Sequence, residues 1–204
     1  MHKKHIEHSV KASNTKALIL IHGRGSTAKD IIGITTHLDI KNYNIYAPQA
    51  TNRSWYPMSF LAKPELNEPW LKSAVDLITL TVDQILEEGI TRDQIYFLGF
   101  SQGACLAVEF MARNARRYGG AVILTGGLIG DKIYRERYNG NFDGTPIFIA
   151  TSDPDIHVPV ERVTETADFL EENGAKVIVK IYDNIGHTIT MEEIELANEL
   201  IFNI

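Results

Sequence analysis

Short runs of consecutive apolar residues alternate along the chain with segments whose apolar residues recur at helical spacing. The short runs predict strands that are buried on both faces of a sheet, and the spaced segments predict helices with one apolar face. The predicted strands are 17–21, 43–47, 95–98, 121–124, 147–150 and 176–182. The predicted helices are 71–88, 102–115, 160–172 and 190–202. This alternation predicts an α/β fold, with a mostly parallel central sheet and helices on both faces.

The chain has 204 residues, which is the length of one large domain, and no internal repeat or linker-like segment divides it. We therefore expect a single domain over residues 1–204. The longest irregular stretch is 48–70, which is rich in proline. A loop of this length inside a compact domain is usually functional or poorly ordered, so it is a candidate for part of a binding site.

Composition and charge exclude several classes of partner. The chain has 20 basic and 26 acidic residues, and this balance of −6 argues against nucleic acid, whose phosphates require clustered lysine and arginine. No apolar run approaches the roughly 20 residues of a membrane span, and residues 1–13 lack the apolar region of a secretory signal. With one cysteine, no intrachain disulfide can form. We therefore expect a cytoplasmic protein without stable membrane insertion.

The segment Gly99-Phe-Ser101-Gln-Gly103 carries the strongest chemical signal. It follows an apolar run that predicts a strand and it opens a predicted helix, which is the setting of a nucleophile elbow. In that turn the serine hydroxyl is exposed above the sheet, and the residues two before and two after the serine must be small. A phosphate-binding glycine-rich turn is the alternative, but no lysine or threonine follows, as a P-loop requires.

A serine nucleophile needs a base, and in this class of fold the acid and the histidine follow the serine along the chain. His187 follows the predicted strand 176–182 and is the best candidate base; a surface-loop histidine is the alternative. The acid is expected after the strand that ends near residue 150. The segment 151–159 offers Asp153 and Asp155 there, and spacing alone does not choose between them.

An oxyanion hole for such a serine needs two converging backbone N–H groups. The helix that begins at Gln102 directs its first N–H groups toward the space beside Ser101. The second donor is expected from the loop after an early strand, where His22-Gly-Arg24-Gly25 follows the run 17–21. We assign the two roles to the N–H groups of Arg24 and Gln102. The Arg24 side chain either meets an acidic group of the substrate or is solvated on a turn.

Four segments together resemble the phospholipase/carboxylesterase family of α/β-hydrolases, which includes the acyl-protein thioesterases. They are His22-Gly-Arg-Gly, Gly99-Phe-Ser-Gln-Gly103, Asp155-Ile-His-Val-Pro159 and Gly186-His187. The resemblance selects Asp155 over Asp153, because Asp155 begins the Asp-x-x-Val-Pro segment. It implies an α/β-hydrolase fold with little or no cap domain, and ester hydrolysis without a cofactor. Arg24 departs from the pattern, since the thioesterases tend to carry an apolar residue there.

Residues 53–61 concentrate aromatic and apolar side chains in a loop. They form either the wall of a substrate pocket or a hydrophobic cluster that holds the loop against the domain. Trp55 and Tyr56 are the best candidates for contact with the substrate. Cys105, one turn inside the helix after Ser101, is expected to pack in the core.

Three histidines near the start of the chain, His2, His5 and His8, are spaced by three residues. No cysteine or cluster of acidic residues accompanies them, so we expect no metal site there.

The motifs predict a serine hydrolase that cleaves carboxylic esters, or thioesters, through Ser101, His187 and Asp155. A lysophospholipase or acyl-protein thioesterase that acts on long chains is the alternative, and a non-catalytic module that binds a small ligand is a weaker one, since no triad residue is missing. Arg24 and the compact loop favour short acyl chains. The expected partner is a small-molecule or acyl ester, and small hydrolases of this type can form homodimers.

Overall fold

The computed structural model describes residues 1–11 and 13–203. Within them, seven strands form one sheet in the order β1-β3-β2-β4-β5-β6-β7, with β1 antiparallel to β3 and all other neighbours parallel. The strands are β1 (Ile6–Ser9), β2 (Lys16–Ile21), β3 (Tyr43–Pro48), β4 (Ile95–Phe100), β5 (Gly120–Leu124), β6 (Pro146–Asp153) and β7 (Lys176–Asp183).

Helices pack on both faces of this sheet. They are α1 (Ala28–Ile32), α2 (Trp70–Glu87), α3 (Gln102–Arg113), α4 (Val160–Glu172) and α5 (Met191–Ala197). Helices α2, α3 and α4 bury their apolar residues against one face, and α1 and α5 bury theirs against the other. Short 3₁₀ turns occur at Gly33–His37, Thr51–Arg53, Pro64–Asn67, Arg92–Gln94 and Arg135–Arg137, and a π turn at Asn198–Phe202 continues α5. The predicted α/β architecture is confirmed.

Strand β2 illustrates why the central strands are continuous apolar runs. Ile19 and Ile21 pack into the layer formed with α2, α3 and α4, whereas Leu18 and Leu20 point into the layer formed with α1 and α5. All four side chains are fully buried. A strand that is covered on both faces has no position at which a polar side chain would reach water, which removes the usual alternation of apolar and polar residues.

Two elements are absent from the predicted set, and two predicted helices have different bounds. Strand β1 lies at the edge of the sheet, pairs only with β3 among the described strands and contains a single apolar residue, so its sequence lacks a strand pattern. Helix α1 spans 5 residues and begins with a reciprocal hydrogen-bonded cap between Thr27 and Asp30. The segment predicted as one helix over 190–202 divides into α5 and the π turn, and the helix predicted over 102–115 ends at Arg113.

The parallel strands place their carboxyl ends at one edge of the sheet. The loops that leave β2, β4, β6 and β7 there carry, respectively, the segments around Arg24, Ser101, Asp155 and His187. Chemistry-bearing residues that are far apart in sequence are therefore delivered to one region by the topology. Among the helices of the described residues, none combines the length and hydropathy that crossing a bilayer requires.

Candidate active site

Ser101 occupies a sharp turn between β4 and α3. Its backbone has φ 55° and ψ −121°, a conformation that residues other than glycine rarely adopt. The Ser101 N–H donates to the carbonyl of Leu124 at 2.9 Å, and the Ser101 carbonyl accepts from the N–H of Cys105 at 3.0 Å. These bonds, with the neighbouring strand and the first turn of α3, hold the strained residue in place and expose its hydroxyl.

The two glycines around the serine allow the turn to be this tight. A Cβ at Gly99 would lie 2.5 Å from the carbonyl oxygen of Gly103, and a Cβ at Gly103 would lie 2.0 Å from the carbonyl oxygen of Ile21. Both neighbours are backbone atoms, which cannot move aside. The geometry therefore explains the requirement for small residues that the sequence motif predicts.

His187 contacts both of the residues assigned to act with it. Its Nε2 lies 2.8 Å from the Ser101 hydroxyl oxygen, and its Nδ1 lies 2.8 Å from Oδ2 of Asp155. Gly186, at φ 76°, gives the loop after β7 the left-handed turn that it needs before the histidine. An Nδ1–H group donates to the carboxylate, so Nε2 is left as the atom that can accept the serine proton.

The carboxyl group of Asp155 is fully buried and held by several donors. Its Oδ1 accepts from the backbone N–H groups of His157, at 2.7 Å, and Val158, at 2.9 Å. Burial alone would raise the pKa of Asp155, but the backbone hydrogen bonds and the contact with His187 outweigh it and hold the pKa below its ordinary value. The side chain is therefore ionised at neutral pH. Asp153, the other acid left open by spacing, is exposed at the end of β6.

The structure places the two assigned oxyanion donors beside the serine. Gln102 begins α3, and Arg24 lies in the loop after β2, next to Gly23, whose Cβ would lie 3.5 Å from that of Ser101. Among the backbone hydrogen bonds of residues 1–11 and 13–203, none is donated by the N–H of Arg24 or of Gln102. Both groups are therefore available to an acceptor outside the protein.

The Gln102 side chain ties this turn to the loop that faces it. Its Oε1 accepts from the backbone N–H of Trp55, and its Nε2 donates to the carbonyl of Tyr56, both at 2.8 Å. The backbone N–H of Gln102 thus lies beside Ser101, while its side chain holds the neighbouring loop through two hydrogen bonds.

The Arg24 side chain is exposed on its loop, lies next to Ser101 in the fold and is held by backbone groups of another loop. Its guanidinium donates to three backbone carbonyls, those of Tyr56 and Pro57 at 2.9 Å and that of Met58 at 2.7 Å. All three acceptors belong to the loop that carries Tyr56. Arg24 therefore joins the loop after β2 to the segment 56–58 through hydrogen bonds.

A cavity of about 420 Å³ opens directly beside Ser101 and His187. We call it the Tyr56 pocket; its apolar walls are Tyr56, Pro57, Met58, Phe60 and Val158, and Cys105 lies at its inner end. Cys105 is almost fully buried, and burial raises the pKa of its thiol to about 12, so it remains protonated and packs as an apolar residue. The predicted pocket role of Tyr56 agrees with this placement.

Trp55 does not line the Tyr56 pocket, which corrects the expectation that it contacts the substrate. Its side chain is 0% exposed, and its indole N–H donates to the carbonyl of His22 at 2.8 Å. The ring lies beneath the loop and joins it to the domain. Of the two interpretations of residues 53–61, Trp55 fits the hydrophobic cluster and Tyr56 fits the pocket wall.

His22 is a supporting residue that the sequence analysis treats only as part of a glycine-rich motif. The ring is fully buried; its Nδ1–H donates to the carbonyl of Gly23 at 2.7 Å, and its Nε2 accepts from the N–H of Ala50 at 3.2 Å. Burial lowers the pKa of His22, so the ring is neutral and this tautomer is fixed. The sequence signal for this role is that His22 directly follows the apolar run 17–21, which predicts a buried position for its ring.

Both ring nitrogens of His2 bond to the backbone of the loop that carries Thr51 and Trp55. Nε2–H of His2 donates to the carbonyl of Trp55 at 2.9 Å, and Nδ1 accepts from the N–H of Thr51 at 3.1 Å, so neither nitrogen is free to ligate. Across the described part of the chain, no group of three or more histidine, cysteine, aspartate or glutamate residues is placed to hold a metal ion.

A mostly parallel sheet with a serine in a strand-to-helix turn, and with an aspartate and a histidine on later strand-end loops, is the α/β-hydrolase fold. The chain belongs to the Phospholipase/Carboxylesterase family, whose model matches residues 2–203. This confirms the resemblance that the sequence motifs carry.

Individual relatives agree with this membership. A crystal structure of a phospholipase/carboxylesterase from Dyadobacter fermentans DSM 18053 is 48% identical, has a TM-score of 0.97 and covers 98% of this chain and 97% of its own. Carboxylesterase SOBER1 of Arabidopsis thaliana is 25% identical over 72% of this chain and 65% of its own length. Acyl-protein thioesterase 1 of Saccharomyces cerevisiae is 30% identical over 60% of this chain and 55% of its own. The matches thus span 55% and 65% of these two curated relatives.

Proposed function

We propose that this protein is a serine hydrolase that cleaves carboxylic esters through a covalent acyl-enzyme on Ser101. The observation that carries the proposal is the unbroken hydrogen-bonded series from the Ser101 hydroxyl through both nitrogens of His187 to Asp155, with two contacts of 2.8 Å. Membership of the Phospholipase/Carboxylesterase family supports the same chemistry. All of these groups come from one chain.

In the acylation step, the Ser101 oxygen attacks the ester carbonyl carbon while its proton passes to Nε2 of His187. The ionised Asp155 holds Nδ1–H and stabilises the imidazolium that forms. When the tetrahedral intermediate collapses, the bond from carbon to the alkoxy oxygen breaks. The proton on Nε2 then passes to that oxygen, and the alcohol leaves.

The tetrahedral intermediate carries its negative charge on the former carbonyl oxygen. The N–H groups of Arg24 and Gln102 are the donors proposed for it, since both lie beside Ser101 and neither is bonded to another backbone group among the described residues. Gln102 also lies in the first turn of α3, whose aligned peptide dipoles favour negative charge at this end. Such preorganised donors are worth more than the same groups in water because they need no reorientation.

Deacylation repeats these roles with water as the nucleophile. His187 accepts a proton from the water, the hydroxide adds to the acyl carbon, and the intermediate releases Ser101, which recovers the proton from Nε2. The net reaction consumes one ester and one water and gives one carboxylic acid and one alcohol. No electron transfer occurs, so the reaction needs no redox cofactor.

The Tyr56 pocket is the proposed site for the acyl part of the substrate. Its volume of about 420 Å³ lies toward the lower end of the range of small-ligand sites, which is roughly 300 to 1,000 Å³. Arg24 also lines this cavity, and its hydrogen bonds to the backbone of residues 56–58 limit how far the wall can move outward. We therefore propose short to medium acyl chains. Thioesters fit the same chemistry, and the similarity to an acyl-protein thioesterase makes them the second candidate.

The direct test is covalent labelling by a fluorophosphonate, which reacts with an activated serine. We expect the wild type to be labelled and Ser101→Ala to be unlabelled, with turnover of a butyrate ester reduced by about 10⁶-fold. Ser59→Ala is the matched control, because Ser59 is the other serine that lines the Tyr56 pocket. Labelling that persists in Ser101→Ala, or a wild type that is not labelled, would contradict the proposal.

Chain-length preference is tested with p-nitrophenyl esters from acetate to palmitate, and with the matching thioesters of one thiol. We expect kcat/KM to be highest for short to medium chains. A continuous rise toward palmitate would instead support the long-chain lysophospholipase or thioesterase alternative.

A further inference from the structure

A second cleft lies on the other face of the sheet from the Tyr56 pocket, close to the same serine. We call it the Ile34 cleft; it has a volume of about 340 Å³ and is formed by α1, the 3₁₀ turn that follows it and the start of α5. Its apolar lining residues are Ile31, Ile34, Phe100, Ile189, Met191 and Ile194. The reaction proposed above assigns no role to this space.

The Ile34 cleft approaches the serine at Gly23 and Phe100. Gly23 and Phe100 both line the cleft, and Phe100 directly precedes Ser101. A Cβ at Gly23 would lie 3.4 Å from Cδ1 of Phe100 and 3.5 Å from Cβ of Ser101. Gly23 thus lies between the cleft and Ser101 and places no side chain there.

The cleft also borders the histidine that must protonate the leaving group. The Phe100 ring packs against the His187 ring with centroids 5.2 Å apart. Ile189 and Met191, which line the cleft, follow His187 in the same loop and at the start of α5. Neither His187 nor Ser101 lines the cleft itself, so a group bonded to an oxygen near Nε2 of His187 would reach it past Gly23, while the acyl group occupies the Tyr56 pocket.

We infer that the Ile34 cleft binds the alcohol part of the ester, and that this part is a neutral, apolar group. The inference rests on the proposed ester hydrolysis and adds a second specificity site to it. In acylation, the bond from the carbonyl carbon to the alkoxy oxygen breaks, the proton on Nε2 of His187 moves to that oxygen, and the free alcohol departs from the cleft. The enzyme then selects both halves of its substrate.

The charge at the rim of the cleft decides which alcohols fit. Asp30 lines the cleft, and hydrogen bonds from Thr27 and Ser26 hold the pKa of its carboxyl below the ordinary value, so it is ionised at neutral pH. Among the described residues that line the cleft, none is lysine or arginine. The guanidinium of Arg53 acts on Asp30 but does not line the cleft, so an alcohol phosphate inside the cleft would face the Asp30 carboxylate, which disfavours glycerophosphate leaving groups.

The first test varies only the alcohol. Butyrate esters of methanol, propanol, hexanol and benzyl alcohol are compared by acid release in a pH-stat, and we expect kcat/KM of the wild type to rise about three-fold per methylene over the first few carbons. Ile34→Trp fills the cleft and should lower the ratio of hexyl to methyl butyrate by about ten-fold. The ratio of methyl octanoate to methyl butyrate, which reports on the Tyr56 pocket, should be the same as in the wild type.

Ile32→Trp is the matched control, since Ile32 is also half-buried beside the same 3₁₀ turn but does not line the cleft. Its hexyl-to-methyl ratio should equal that of the wild type. A flat alcohol series in a wild type that hydrolyses methyl butyrate, or equal effects of the two tryptophans, would overturn the cleft assignment alone. A wild type that neither hydrolyses esters nor reacts with a fluorophosphonate would overturn the proposed reaction as well.

A second test needs no variant and so does not depend on folding of a mutant. Glycerol monobutyrate and the same ester with a phosphate on the glycerol differ only in the charge of the alcohol. We expect kcat/KM to favour the neutral ester by about ten-fold or more at low salt, and the ratio to shrink as salt screens Asp30. Equal rates, or a preference for the phosphate ester, would contradict a neutral alcohol site.

Discussion

The guanidinium of Arg24 and the backbone carbonyl of Met58 are joined by a 2.7 Å hydrogen bond across 34 residues of chain. Two further carbonyls, those of Tyr56 and Pro57, accept from the same guanidinium. The loop that carries a proposed oxyanion donor is thereby fixed to the wall of the Tyr56 pocket. An arginine suits this task because its planar fork presents several donors at once.

We expect Arg24→Leu to lower kcat/KM for butyrate esters by about ten- to one hundred-fold, because the loop loses three bonds worth roughly 1 kcal/mol each and the donor beside Ser101 loses its fixed position. Hydrogen exchange at residues 56–58 should accelerate in the same variant. Arg24→Lys retains the charge but not the fork, so it should recover only part of the loss. Full activity in Arg24→Leu would show that the fastening has no effect on catalysis.

Asp155→Asn should lower kcat by about 10⁴-fold, because an amide at this position favours the wrong tautomer of His187 and does not stabilise the imidazolium. Burst kinetics with a p-nitrophenyl ester would separate the acylation and deacylation rates, and both should fall. Asp153→Asn is the matched control two residues away, and its exposed side chain predicts activity close to that of the wild type. The opposite ranking of the two variants would assign the acid to Asp153.

Gly103→Ala should lower stability by more than about 3 kcal/mol, since the added Cβ would lie 2.0 Å from the Ile21 carbonyl oxygen and force β2 away from α3. Urea unfolding measures this if the variant is soluble; if it is not, loss of soluble protein is itself the expected result. Gly33→Ala is the control, because nothing lies within 4 Å of its Cβ position. A stable Gly103→Ala variant would contradict the close approach of these two segments.

The buried carboxyl of Glu193 should make the free energy of unfolding depend on pH. Burial raises the pKa of this carboxyl above its ordinary 4.5, against the hydrogen bonds from Thr190. The folded protein thus binds this proton more tightly than the unfolded chain does, so stability falls as pH rises from 4.5 through the raised pKa and stays reduced above it. Glu193→Gln removes the buried charge and should stabilise the protein by roughly 1 kcal/mol at about pH 7.

This gain should shrink as the pH falls through the raised pKa and disappear below 4.5, where the wild-type carboxyl becomes protonated in both the folded and the unfolded state. Urea unfolding at several pH values measures the difference. Glu195→Gln changes an exposed glutamate on the same helix and should show no such pH dependence. A gain for Glu193→Gln that is constant across pH would mean that charge burial is not its cause.

The sequence predicts the central strands and the positions of Ser101 and His187 because each has a strong local signal. Apolar runs occur where a strand is covered on both faces, and the nucleophile turn requires glycines at fixed spacing. Strand β1 lacks such a signal, since an edge strand is held by backbone pairing to β3 and not by apolar side chains. Spacing leaves Asp153 and Asp155 equal because the choice depends on the path of the loop after β6.

The side-chain roles of Trp55 and Arg24 could not be read from the sequence for a different reason. An aromatic residue in a loop has the same sequence signature whether it faces a pocket or lies beneath the loop, as Trp55 does. The partners of Arg24 are backbone carbonyls, which every residue carries, so no pattern of side chains marks them.

The double attachment of Gln102 constrains how such a protein can change its substrate. Its backbone N–H is a proposed oxyanion donor while its side chain bonds to the backbone of Trp55 and Tyr56, so a substitution in that loop would also shift the proposed donor. Variants selected for a different acyl chain should therefore often have a lower kcat as well. Substitutions around Ile34, which lies on the opposite face of the sheet, would change the selectivity for the alcohol part of the substrate with a smaller loss of kcat.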